Sequence, residues 1–349
     1  MSVATETTTT RPAFDWRRAA RRHGWTIGVF VLLVLLVLYW RSSTNLTWGT
    51  FDVQSLAIDA MPLAFVAMGQ AIVIISGGID LSVGSMMALV NVLSAKYMVT
   101  SLGDSTVGSV ATPGTFRRAI LVSLLLVVFG FAAGALTGFV IHVTRIADII
   151  VTLAMLFVWG GVALAVLEVP GGGAPVKYQN LVTVDTVVTA WLPKALVILL
   201  VAYALLWLTI RRRRPGLALY AIGSSRSASY LSGINVPLTR VFAYAMSGAF
   251  AALGGLALTS ASGIGDPHSG DIYTLNSVAA VVLGGVSLLG GVGGLIGVIA
   301  AAFVLTLVKT ILIIKGVDQN YAQVIQGTLI VLVVMIGGLA IRQKGKSGG

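Results

Sequence analysis

Ala119–Ile141 reads AILVSLLLVVFGFAAGALTGFVI, an unbroken apolar run with no charged residue. As a helix it rises about 1.5 Å per residue, enough to cross the ~30 Å hydrocarbon core of a bilayer. Water cannot solvate such a helix on every face, so this stretch decides the fold class. Nine further runs flank it: Trp25–Trp40, Ala57–Ser76, Gly84–Thr100, Ile149–Leu167, Ala195–Ile210, Val241–Ser260, Tyr273–Leu289, Val292–Ile314 and Tyr321–Ile341. The spacing predicts an all-α polytopic membrane protein with about ten transmembrane helices over residues 25–341. A polar tail, 1–24, precedes them and a short one, 342–349, follows.

Composition agrees. Of 349 residues, 57% are hydrophobic and only 10% charged, against about 25% charged in soluble domains. There is no cysteine, and His23, His142 and His268 share no motif. Disulfides, thiolate sites and a histidine-rich metal centre are not expected. The first apolar run follows Arg17, Arg18, Arg21 and Arg22, as in a signal peptide. It ends in Tyr39-Trp40-Arg41 without a small-residue cleavage site, which predicts an uncleaved first helix.

The net charge of +11 admits a nucleic-acid reading. The charges sit at the edges of apolar runs, however, which is the pattern of membrane topology. With both termini cytoplasmic, fifteen basic residues fall inside: Arg11, Arg17, Arg18, Arg21, Arg22, Arg145, Arg211–Arg214, Arg226, Arg240, Arg342, Lys344 and Lys346. Six fall outside: Arg41, Arg117, Arg118, Lys177, Lys194 and Lys315. Lys96 and Lys309 lie near outer helix ends, where a long side chain can snorkel.

Two segments repeat the string G-G-x-[DS]-L-x-x-G. One is Ser76-Gly77-Gly78-Ile79-Asp80-Leu81-Ser82-Val83-Gly84, and the other spans Leu283 to Gly291. Paired glycines loosen a helix, so both are expected to be broken and to face the same side of the membrane. Asp80 at membrane depth either caps the next helix or faces a transport path. Gly130, Gly134 and Gly138, like Gly293 and Gly297, have the spacing of a small-residue ridge for close helix packing. In the inside loop, residues 211–240, Ser224 or Ser225 can cap a short helix that Gly233 ends. Its apolar spot at Ala228 and Leu231 reads as an ordinary surface helix or as a knob that docks into a soluble partner.

No phosphate-binding G-x-x-x-x-G-K-[ST] loop is present, since Ala340 stands where Gly345-Lys346-Ser347 would need its first glycine. No nucleophile elbow, H-E-x-x-H helix or obvious proton relay is found. The chain is expected to be no enzyme and to bind no cofactor or metal itself.

Three segments taken together, SGGIDLSVG (76–84), AIGSSRSASYLSGINV (221–236) and VAAVVLGGVSLLGGVGGLIG (278–297), resemble the ribose-type (monosaccharide) permeases of ABC importers, within the branched-chain permease superfamily. The resemblance covers roughly Phe51 to Arg342. It implies a bacterial inner-membrane permease that imports a small sugar. It also implies a cytoplasmic ATPase carrying ATP-Mg, a periplasmic or lipid-anchored binding protein, and a second permease chain, identical or paralogous. Within the inside loop it marks Gly223, Ser224, Ser225, Arg226, Ala228, Leu231, Gly233 and Asn235 as the segment that couples to the ATPase. Many members carry Asn-Gly at Thr137-Gly138 and an acid at Asn276. Candidate path residues are Phe65, Gln70, Asp80, Ser82, Asn91, Trp159, Tyr273 and Asn276. A nucleoside, polyol or furanosyl signalling molecule is the alternative cargo, and a stand-alone secondary transporter the alternative machine.

Overall fold

The computed structural model describes residues 16–43, 49–101, 112–183, 192–328, 331–332 and 335. Helix α1 (Trp16–Ser43) leads to α2 (Thr50–Ile75), and a glycine turn then gives α3 (Val83–Tyr97). After a ribbon of two short strands, β1 (Val99–Ser101) and β2 (Thr112–Pro113), come α4 (Phe116–Thr144) and α5 (Asp148–Val166). The small α6 (Val176–Thr183) precedes α7 (Lys194–Ala202), which runs through a π-helical turn (Tyr203–Leu208) into α8 (Thr209–Arg211). Two surface helices follow, α9 (Arg214–Ser224) and α10 (Arg226–Leu231), and then α11 (Val236–Ser262), α12 (Asp271–Leu283) and α13 (Leu295–Ile314). Backbone 319–328 is helical again.

Among the described residues, seven helical stretches are long and apolar enough to cross a membrane: Gly24–Ser43, Thr50–Ile75, Phe116–Thr144, Asp148–Val166, Lys194–Arg211, Val236–Ser262 and Leu295–Ile314. Two of the ten expected spans come out shorter. α3 has 15 residues and α12 has 13, about 22 and 20 Å of helix, less than the hydrocarbon core. The expected Tyr273–Leu289 span stops at Leu283 because Gly284 caps the helix and Gly285 turns left-handed at φ 86. The first helix begins earlier than expected, so part of the polar N-terminal segment is helical. About half of the tenth span, including all of 336–341, lies outside the described residues.

Helices α2 and α11 form the centre. Every residue of α2 from Ala60 to Ile75 is buried. In α5, by contrast, only Val151, Thr152 and Ala163 are. The glycine ridge of α4 lets it cross α11 at very close range. A Cβ on Gly134 would sit 2.1 Å from the Tyr244 carbonyl oxygen, and one on Gly248 would sit 2.1 Å from that of Gly130. Only glycine permits this approach, as its spacing predicts. The second expected ridge is different: Gly293 lies in the turn at φ 141, and Gly297 alone packs, against the Gly284 carbonyl.

α2 and α12 both run toward the end that carries α9 and α10, and α3 and α13 run back. The two glycine turns therefore lie at the same end, as their predicted orientation requires. That end holds Arg145, Arg211–Arg214, Arg226 and Arg240, and it is called the basic end below. At the opposite end the loop after α5 folds over α3, with Gly173 N–H donating to Ala95 O at 3.0 Å and Ala174 N–H to Gly263 O at 3.0 Å.

Candidate coupling surface and membrane cavity

The 211–240 loop folds as two helices, where the sequence singled out one. Pro215 opens α9. Ser224 is its last residue, and the Ser224 Oγ donates back to Tyr220 O. Ser225, one of the two expected caps, is the N-cap of α10 and accepts from Ala228 N–H at 3.3 Å. Gly233, at φ 79, ends the segment as expected. Asn235 caps α11, its Oδ1 accepting from Leu238 N–H at 3.0 Å. Leu231 is 84% exposed and Tyr230 73%. The apolar spot is thus real and has no cover among the described residues.

The base of this knob touches both glycine turns. Arg226 donates to Gly77 O at 2.9 Å and Tyr220 OH to Gly293 O at 2.8 Å, while Gly291 N–H ties the second turn directly to Ile75 O at 2.9 Å. Burial holds the Tyr220 hydroxyl above its ordinary pKa, against the opposing charge of Arg211, so it remains a donor. Gly223 sits at the junction. A Cβ there would lie 1.8 Å from Ile75 O and 2.5 Å from Gly291 N. α9 and α10 thus contact both turns across one layer of backbone.

Asp80 lies in the first turn and is buried. Its Oδ1 accepts from Ser82 N–H (3.0 Å) and Ser82 Oγ (2.6 Å), and its Oδ2 from Ser247 Oγ (2.8 Å). It does not occupy the cap of α3 itself. It fixes Ser82, which does, and ties that cap to α11. Beside it Asp148 pairs with Arg240 and accepts from Tyr244 OH at 2.8 Å. Both the Asp148 carboxylate and the Tyr244 hydroxyl approach to 2.7 Å from where a Gly78 Cβ would sit. The sequence reading missed Asp148. An acid opening an apolar run, close to Arg145, was the available signal.

A cavity of about 280 Å³ lies toward the opposite end, lined by Asp59, Tyr273, Asn276, Thr306, Lys309 and Gln326 among others. It brings together two of the candidate path residues, Tyr273 and Asn276. Asp59 was legible as an acid inside an apolar run and was passed over. Lys309 faces this cavity, where the sequence suggested only a snorkelling side chain. An acid and a base do therefore share a site at membrane depth.

The other candidates lie elsewhere. Phe65 lines an apolar groove of about 270 Å³, with Met61, Leu124, Ile198 and Leu256. Trp159 meets Phe129 edge-on at 6.3 Å between α5 and α4, a packing contact. Asn91 is a brace: its Nδ2 donates to Thr259 Oγ1 (2.8 Å) and Ile264 O (3.1 Å), and its Oδ1 accepts from Asp266 N–H (2.7 Å). Gln70 is fully buried, and neither of its amide atoms has a hydrogen-bond partner among the described residues.

Known proteins share this arrangement of sequence. The ribose import permease protein of Escherichia coli (strain K12) is 30% identical over 281 residues, covering 78% of this chain and 81% of its own. The ribose import permease protein of Bacillus subtilis (strain 168) is 28% identical over 313 residues, covering 89% and 90%. The galactose/methyl galactoside import permease protein of Escherichia coli (strain K12) is 26% identical over 327 residues, covering 91% and 95%. No solved structure matches significantly. Residues 53–334 match the family described as "Branched-chain amino acid transport system / permease component", and the chain belongs to that family of membrane permeases.

Proposed function

We propose that this chain is the permease subunit of an ATP-driven importer of a monosaccharide in the bacterial inner membrane. A separate ATPase holds ATP-Mg and docks on α10, a binding protein delivers the sugar at the opposite end, and a second permease chain completes the path. The observation that carries this is the knob: exposed Leu231 and Tyr230 on the short α10, which is bonded to the first glycine turn through Arg226, while the preceding α9 is bonded to the second through Tyr220. ATP-driven closure of the ATPase would pull on α9 and α10. The turns would then shift α2 against α3 and α12 against α13, opening the bundle alternately to each side. The clustering of arginines makes the basic end cytoplasmic, with the N-terminus on that side.

Replacing Leu231 with Asp puts a charge on the docking spot without touching the core. The variant inserts into the membrane normally, loses sugar uptake, and no longer carries the ATPase through a mild-detergent pull-down. Normal uptake with the ATPase retained would overturn the docking surface.

A further inference from the structure

We propose that the cavity between α2, α12 and α13 is a transient binding station for an uncharged, hydroxyl-rich cargo, with Asp59 and Lys309 as its fixed poles and Gln70 as the next polar contact toward the basic end. This rests on the importer reading above.

The chemistry of the lining selects the cargo. One carboxylate and one ammonium leave the walls without net charge. An anionic cargo would meet Asp59 as well as Lys309, and a cationic one Lys309 as well as Asp59, so a net charge gains little from walls whose poles balance. A sugar hydroxyl both donates and accepts. One polyol can therefore satisfy the acceptor Asp59, the donor Lys309 and the amide of Asn276 together. α2 adds a further acceptor. Pro62 has no N–H, so the carbonyl of Ile58 loses its helical donor, and both residues line the cavity. The volume, about 280 Å³, falls just below the roughly 300–1,000 Å³ of sites for drug-sized ligands. That suits a monosaccharide better than a nucleoside.

Gln70 gives the direction of travel. It follows Asp59 by eleven residues, three turns of helix and a remainder of about 20°, so both lie on one stripe of α2. The step along the axis is about 16 Å toward the basic end. A fully buried amide with neither end bonded is costly in a resting protein. Native structures keep such groups rarely, and each calls for a cause. The cause here is a second state, in which the stripe opens and Gln70 takes over hydroxyls released from Asp59. Leu63 and Val66 fall between the two contacts on the same stripe, and both are buried. The contacts are few and exchangeable, as a site that must release its cargo requires.

The test uses the full complex, purified with its own ATPase and binding protein and placed in proteoliposomes. Labelled D-ribose, D-galactose and D-allose are the probes, with ribose 5-phosphate as the charged competitor. The native complex takes up at least one neutral sugar, and excess ribose 5-phosphate does not slow it. Asp59→Asn, Lys309→Met and Gln70→Leu each lower that uptake about tenfold, the value of one lost hydrogen bond to substrate, while ATP hydrolysis stimulated by the loaded binding protein persists. Thr306→Val, nearly isosteric and uncharged, gives a smaller loss and guards against misfolding of the charge variants. If the native complex imports a neutral sugar and all four variants match it, the station is overturned and the importer stands. If no neutral sugar enters the native vesicles, the importer reading fails and takes the station with it.

Discussion

The two glycine turns share a sequence string yet differ in what they hold. Each ends its helix with the same cap. Gly78 N–H donates to Val73 O at 3.0 Å after α2, and Val286 N–H to Val281 O at 3.1 Å after α12. The left-handed glycines are Gly77 and Gly285, the first glycine of one pair and the second of the other. The strings are thus one residue out of register where the caps are formed. Past the cap they realign, since Asp80 accepts from the N–H two residues on, and so does Ser287, from Leu289 at 3.3 Å. The difference lies in depth. Asp80 is buried and bonded across to α11, whereas Ser287 makes a local bond at a tip where Leu289 is 76% exposed. The first turn is a wedge in the bundle. The second is an arm laid on the docking helices. They meet beside Gly223, where Gly291 N–H also donates directly to Ile75 O.

The largest expected effect follows from that junction. Gly223→Val forces a side chain into two backbones at once, and overpacking of this kind costs at least about 3 kcal/mol. Folded protein recovered by size exclusion, and uptake with it, should collapse. A stable, active variant would show that the two turns are not joined there. Next comes the contrast between the turns. Asp80→Ala strips three hydrogen bonds from a buried site and should destabilise by about 3 kcal/mol, with Asp80→Asn in between. Ser287→Ala should stay within about 0.5 kcal/mol. Thermal unfolding of the detergent-solubilised variants reads the difference, and equal losses would abolish the distinction between wedge and arm. The smallest effect on folding belongs to Arg226→Ala. It cuts the bond to Gly77 O at the surface and should leave stability unchanged while lowering uptake about three- to tenfold, the size of a typical coupling loss. Unchanged uptake would mean that the first turn receives its motion by another route.

Local signals in the chain foretold local structure. Paired glycines gave helix ends, Ser225 and Gly233 bounded α10, and the spacing of Gly130, Gly134 and Gly138 gave a close helix crossing. Each depends on backbone freedom or side-chain reach within a few residues. Candidate path residues fared unevenly because a polar side chain in an apolar run announces only that it needs a partner. Asn91 found its partner in Thr259 and the 264–266 turn, Asp80 in Ser82 and Ser247, while Tyr273 and Asn276 face a cavity. Nothing within a few positions of any of them tells these cases apart. Asp59 carried the same announcement as Asp80, and Gln70 and the Trp159 indole nitrogen proved to be buried without a hydrogen-bond partner among the described residues.

The amino-acid sequence by itself determined that the chain crosses a membrane on helices, that two of its helical hairpins turn on glycines at one end, and that a short capped helix projects from that end. These follow from transfer energies and backbone freedom, which are properties of each segment alone. Only the tertiary structure decided that α2 and α11 are central while α4 and α5 show most of their surface outward. Lipid tails are as apolar as leucine, so hydropathy cannot separate a helix that faces lipid from one that faces protein. Tertiary structure likewise decided that Gly223 joins both turns and that Asp59 and Lys309 share one cavity. Those meetings depend on how helices hundreds of residues apart cross, which no single segment encodes.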